Sequence, residues 1–238
     1  MRVLRNPDEV AAANPDALVR WAAQCLLPGR GGAAWAHGGA VAVIAPALYR
    51  HDRIVLAGPP DDVAALLRAK ARPGLRPIVT TEVAAALPEF PVLGSTTWME
   101  RTGALAADGV RWLGPDAWDE VEALLRNANP GSWVWPHEPG ARRWAGVRAE
   151  GGVLVAVAAD AWAAPGVGFI GGVATHPDHR GRGLSTRVCG FLTSALLAEF
   201  GTCALMVDPD NTGAVKVYER LGYRQRDITA LRDVGHTG

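Results

Sequence analysis

The chain has 238 residues, 49% of them hydrophobic, and its 24 Lys+Arg are balanced by 24 Asp+Glu. This length permits one large domain or two modest ones, the apolar fraction excludes a disordered chain, and the charge balance gives no overall field to draw the protein to nucleic acid or to an anionic membrane. Cys25, Cys189 and Cys203 are widely separated, which argues against a disulfide framework or a C-x-x-C metal site, and no apolar run reaches the ~20 residues of a membrane span.

A reducing cytoplasm is the expected compartment, and neither nucleic acid nor membrane is an expected partner. The first 107 residues open on a helix-compatible segment. Apolar runs at Val41–Ala45 and Arg53–Ala57, bounded by Gly and Pro, read as buried strands. Asp61–Lys70 reads as a helix, with Asp61 and Asp62 in its first turn and Val63, Leu66 and Leu67 on one face. Ile78–Thr80 and Ser95–Glu100 read as extended. This segment contains no catalytic motif.

From residue 108 the pattern is more regular. Arg111–Leu113 is a strand and Asp116–Ala128 a helix with Trp118, Val121, Leu124 and Leu125 at helical spacing, stopped by Asn129-Pro130-Gly131. Strands Arg143–Arg148 and Val153–Ala159 flank a Glu150-Gly151-Gly152 turn, and Phe169–Thr175 follows Pro165-Gly166. After a loop come helix Leu184–Phe200, strand Cys203–Val207, helix Thr212–Leu221 and a strand from Tyr223. The order β-α-β-β-β-α-β-α-β predicts an α/β (α+β) mixed sheet. The expected division is 1–107 and 108–238.

The loop His176–Ser185, HPDHRGRGLS, joins an apolar strand to an amphipathic helix. Gly181 and Gly183 let the backbone turn and approach a ligand, and a helix start offers amides without intrahelical partners. Such a place suits a phosphate or pyrophosphate, with Arg180 and Arg182 adding charge. The plainer alternative is a tight structural turn with exposed arginines. There is no G-K-[ST] for a P-loop and no G-x-G-x-x-G opening an early βαβ unit.

At Arg180-Gly181-Arg182-Gly183-Leu184-Ser185 the chain resembles the GNAT acetyltransferase superfamily, whose signature is [RQ]-x-x-G-x-[GA]; Ser185 replaces its last small residue. Asn211-Thr212-Gly213-Ala214-Val215-Lys216-Val217-Tyr218 matches the N-x-x-A-x-x-x-Y pattern of the same superfamily. The resemblance covers residues 108–238 and implies acetyl-CoA as donor, with its pyrophosphate on the amides of Gly181–Ser185. It implies that the pantetheine arm pairs with backbone near Val173, Ala174 and Thr175, and that Asn211, Ala214 and Tyr218 border the cofactor. Tyr218 would give a proton to the departing thiolate, and no metal is required. The N-terminal lobe would be a degenerate half of the same kind, with one cofactor site per chain.

Many relatives carry a glutamate base on the strand before the loop, where this chain reads Phe169-Ile170-Gly171-Gly172-Val173. Candidate bases are His137, Glu138 and Asp160, or a water chain to solvent. The acceptor is an amine of a small molecule or peptide. Its pocket is expected from the Asn129–Pro139 and Asp160–Val167 loops, with Trp133, Trp135 and Trp162 either lining it or merely packing. The alternative to an enzyme is a non-catalytic acyl-CoA-binding sensor.

Overall fold

The computed structural model describes residues 1–105 and 110–232. It resolves into two compact units, Met1–Trp98 with Gln225–Gly238, and Met99–Arg224. The division expected at 107/108 falls on residues outside those described.

In chain order the elements are β1 (Arg2–Leu4), α1 (Pro7–Ala13), α2 (Ala17–Ala22), β2 (Ala33–His37), β3 (Ala40–Leu48), β4 (His51–Ala57), α3 (Pro60–Lys70), β5 (Arg76–Thr80), α4 (Thr81–Ala85) and β6 (Val92–Thr102). Then follow β7 (Arg111–Leu113), α5 (Trp118–Ala128), β8 (Ala141–Arg148), β9 (Leu154–Ala161), β10 (Gly168–Thr175), α6 (Leu184–Phe200), β11 (Thr202–Val207), α7 (Thr212–Arg220) and β12 (Arg224–Leu231).

In the first unit β1–β2, β2–β3 and β3–β4 are antiparallel and β4–β5 is parallel. β3 is buried along most of its length on both faces, because Ala40, Ala42 and Ile44 join Val63, Leu66 and Leu67 of α3 in one core, and the alternate residues face the other way. A two-residue turn closes β3 onto β4 between the paired Leu48 and His51, with φ of 50° at Tyr49 and 63° at Arg50. Such a turn ordinarily uses Asn-Gly. Here buried Arg53 restrains it by donating Nε to the Leu48 carbonyl at 2.9 Å and Nη2 to that of Tyr49 at 3.3 Å. β5 pairs on its other side with β12, Ile228 opposite Thr80.

The second unit repeats this succession. β7–β8, β8–β9 and β9–β10 are antiparallel and β10–β11 is parallel. One face of that sheet carries α6, whose Val188, Cys189, Leu192 and Leu196 form a core with Ile170, Cys203 and Leu205. Gly168 permits the close approach: a Cβ there would lie 2.8 Å from that of Leu196. Gly201, at φ 76°, ends α6, its N–H returning to the Leu197 carbonyl.

Candidate functional site

The parallel pairing of β10 with β11 covers Gly168–Ile170 and ends there. Immediately beyond, β10 carries an irregularity against β9 between Gly171 and Ala174, with Gly172 at φ 59°. A bulge bends its strand and increases local twist. Gly171, Gly172 and Val173 are partly exposed in an otherwise buried strand, so main-chain groups meet solvent at the centre of the unit.

Both glycines have packing reasons. A Cβ on Gly171 would lie 2.6 Å from Val134 Cγ2, and one on Gly172 2.5 Å from the Trp144 ring. The space beside these two positions is therefore filled by two apolar residues, Val134 and Trp144. Trp144 is fully buried and its indole N–H lacks a partner.

β10 runs into a short 3-10 turn at Pro177–His179 and then into the glycine loop. Gly181 and Gly183 adopt φ of 74° and 73°, with open space where their Cβ atoms would be. Gly183 is the N-cap of α6 and supplies no side chain to the first-turn amides. Those amides lie at the positive end of a 17-residue helix and have no side-chain partner at the cap. Ser185 Oγ lies 2.8 Å from Thr175 Oγ1, linking the helix start to the end of β10.

Arg180 does not simply project into solvent. Its Nε donates to the Thr175 carbonyl at 3.3 Å and its Nη2 to that of Ala128 at 3.1 Å, bracing the loop against β10 and the end of α5. Arg182 Nη2 donates to the Asp178 carbonyl at 3.3 Å. Of the strand backbone groups predicted to meet a cofactor, Ala174 and Thr175 pair with β9, and the Val173 carbonyl accepts from Asn129 Nδ2 at 3.1 Å.

Asn211 caps α7, its Oδ1 accepting from the Ala214 amide at 3.1 Å. Ala214 is partly buried against the core and Tyr218 is 5% exposed, its ring edge-on to Tyr223 with centroids 5.7 Å apart. Burial pushes the Cys189 thiol up to about 12, and a hydrogen bond donated by the Tyr218 phenol opposes that shift. Cys203 is likewise pushed up to about 12, so both are neutral core groups and not nucleophiles.

Asp160, expected in a loop, belongs to β9 and is 0% exposed. Its Oδ2 accepts from Arg143 Nε at 2.9 Å and meets Arg142 Nη1 at 3.3 Å, leaving Oδ1 without a partner. Burial raises its pKa and the arginines oppose that shift. Trp162 is buried, edge-on to Phe169 and close under Gly140, so it packs this region. Trp133 is 41% exposed, whereas Trp135 donates its indole N–H to the Ser132 carbonyl and lies beneath the Arg126 guanidinium. His137 Nε2 is 3.1 Å from Asp119 Oδ1, a pairing that sequence spacing did not disclose.

The model of the FR47-like protein family matches residues 146–231, a span that includes both the glycine loop and Asn211–Tyr218. A GCN5-related N-acetyltransferase from Kribbella flavida superposes with a TM-score of 0.57 at 21% identity, over 85% of this chain and 89% of that one. One from Sphaerobacter thermophilus gives 0.53 at 16%, over 81% and 79%. A GCN5-related N-acetyltransferase-like protein from Streptococcus suis gives 0.51 at 16%, over 95% and 98%. No curated protein sequence matches. The fold is that of the GCN5-related N-acetyltransferases, and the resemblance to the GNAT superfamily read from the two motifs stands. Among the described residues no helix is long and apolar enough to cross a membrane.

Proposed function

We propose that the chain is an acetyl-CoA-dependent N-acetyltransferase acting on a primary amine of a small molecule or peptide. The observation that carries this reading is a coincidence of place. The strand that parts from its parallel neighbour at Ile170 leads directly into a glycine loop and an uncapped helix terminus. Such an arrangement offers backbone to an extended amide-bearing chain and amides to a pyrophosphate at its end. These residues fit coenzyme A.

When bound, acetyl-CoA supplies an activated acyl group on a thioester. The chain's part is to hold and polarise it. Amides of Gly181–Ser185 would take the pyrophosphate, with Arg180 bracing the loop and Arg182 adding positive charge. Backbone near Val173, Ala174 and Thr175 would align the arm and polarise the carbonyl. Tyr218 is assigned to the departing thiolate. The phenol donates to the buried Cys189 sulfur, so its proton would have to turn from that sulfur to the departing thiolate. With Val134 and Trp144 packed against Gly171 and Gly172, the amine's proton is assigned to water and solvent. Asp160 is excluded as a base by its arginine pairs and complete burial.

The first unit, by this reading, is a degenerate half without a cofactor site. Release of free thiol from acetyl-CoA across a broad amine panel, with CoA binding measured alongside, tests the proposal. Turnover on at least one amine is expected. Tight CoA binding with no turnover on any amine would instead establish a non-catalytic acyl-CoA sensor, a reading favoured by the absence of a carboxylate on β10.

A further inference from the structure

We propose that Asp119, Glu122 and His137 form a site for one divalent transition-metal cation of the zinc class, fastening the 129–140 loop to α5. Asp119 and Glu122 are three residues apart on α5 and therefore share a face. His137 comes from the loop that follows. One ligand atom from each lies within 4.8 Å of the other two. His137 Nε2 is 3.1 Å from Asp119 Oδ1 and 3.8 Å from Glu122 Oε2. Tetrahedral zinc with bonds of about 2.0–2.1 Å separates its ligands by about 3.4 Å, so these two spacings bracket the required edge.

The ligands are also oriented. Glu122 Oε1 accepts from Arg126 through both Nε and Nη2, leaving Oε2 toward His137. The imidazole is held edge-on to Trp118, with ring centroids 5.6 Å apart. Hydrogen bonds to a ligand's remaining atoms fix its direction. Asp119 is 95% exposed, which gives a cation access and leaves room for a water as fourth ligand. The imidazole disfavours magnesium and calcium, which prefer all-oxygen sets.

The site does not rest on acyl transfer, and the cation takes no part in that chemistry. Its consequence is mechanical. The same loop is anchored at its start by Asn129 to the Val173 carbonyl, and it carries Trp133 and Trp135. A cation at His137 would pin its far end.

The test uses the full chain, cleared of metal with a chelator and titrated with Zn²⁺ by calorimetry and with Co²⁺ by visible absorption. One cation per chain is expected, with a Kd of about 1 µM or tighter and intense tetrahedral cobalt bands. Asp119→Asn and His137→Asn should each weaken binding by at least about 10-fold, with thermal midpoints showing that both remain folded. His176→Asn removes one member of the close imidazole pair His176 and His179, away from the proposed site, and should leave cation binding unchanged. The proposal is overturned if neither cation binds by about 100 µM, if binding survives unchanged in Asp119→Asn and His137→Asn, or if His176→Asn abolishes it.

Discussion

α3 and α6 occupy equivalent places in two identical successions of strands, each following the last antiparallel strand and preceding the parallel one. The termini of these helices differ in kind. α6 begins after two left-handed glycines, with no side chain over its amides and no acid in its first turn. α3 begins with Pro59 and Pro60, which removes donors, and places Asp61 and Asp62 where an anion would sit. Asp62 also accepts from the Gly39 amide at 2.9 Å, and Gly58 is pressed so closely to Ala40 that a Cβ would lie 2.5 Å from its Cα. A helix start left open to an anion is therefore not a property of this fold. It depends on a handful of residues ahead of one helix.

The largest effect that would sharpen this contrast lies at Tyr218. Tyr218→Phe should keep the fold and cofactor affinity, yet lower kcat by roughly 10²–10⁴-fold on a turned-over amine. An unchanged kcat where chemistry limits the rate would remove Tyr218 from the mechanism. Next comes Gly183→Val. Its side chain would meet open space, so the cost arises from φ 73°, which a β-branched residue adopts badly. Distorting the terminus by roughly 1–3 kcal/mol should weaken acetyl-CoA binding about 10–100-fold by calorimetry. Undiminished affinity would mean that the pyrophosphate lies elsewhere.

Cysteine reactivity compares the two cores. Burial pushes Cys25 of the first unit up to about 11, and Cys189 and Cys203 of the second to about 12. All three thiols are buried and neutral at about pH 8, so mass spectrometry of the native protein should find each of them slow to alkylate, and rapid labelling of any one would contradict its burial. These raised values also give the sign of a pH effect. The neutral thiols contribute stability that is complete below the ordinary value of 9.0 and is lost as pH climbs through about 11 to 12. A flat unfolding profile across that window would contradict the burial of all three. The smallest effect is expected at α3: Asp61→Asn should leave acetyl-CoA affinity within about two-fold, because the proposed cofactor site lies at α6 and not at that helix. A ten-fold change would break the comparison.

Much of the second unit was legible in its sequence, because its elements are long and sharply punctuated. α6 runs over Leu184–Phe200 as its pattern predicted, between the glycines that bound it, and the turn at Gly151-Gly152 lies between β8 and β9. In the first unit, β1, β2 and α4 carry no signal in the sequence, being short segments without distinct periodicity. The repeated topology was invisible because strand pairing is not written in local pattern. Asp160 reads from the sequence as a loop residue, since a lone acid ending an alanine-rich run resembles a terminator, whereas two arginines pair with it within the sheet. His137 was singled out, but its partners on α5 become neighbours only once the loop folds back.

The pairing of β12 with β5 has a consequence for how the protein is made. Leu231 is fully buried in the first unit's core, and Ile228 through Ala230 complete the outer side of β5. A ribosome therefore releases the whole contiguous second unit before it releases the last piece of the first. At about 5–20 residues per second, β5 waits roughly 10–30 s for its partner with one edge bare. Bare edges recruit other chains. Translation that stalls before Ile228 should yield an aggregation-prone nascent protein even though the glycine loop and its helix have already emerged.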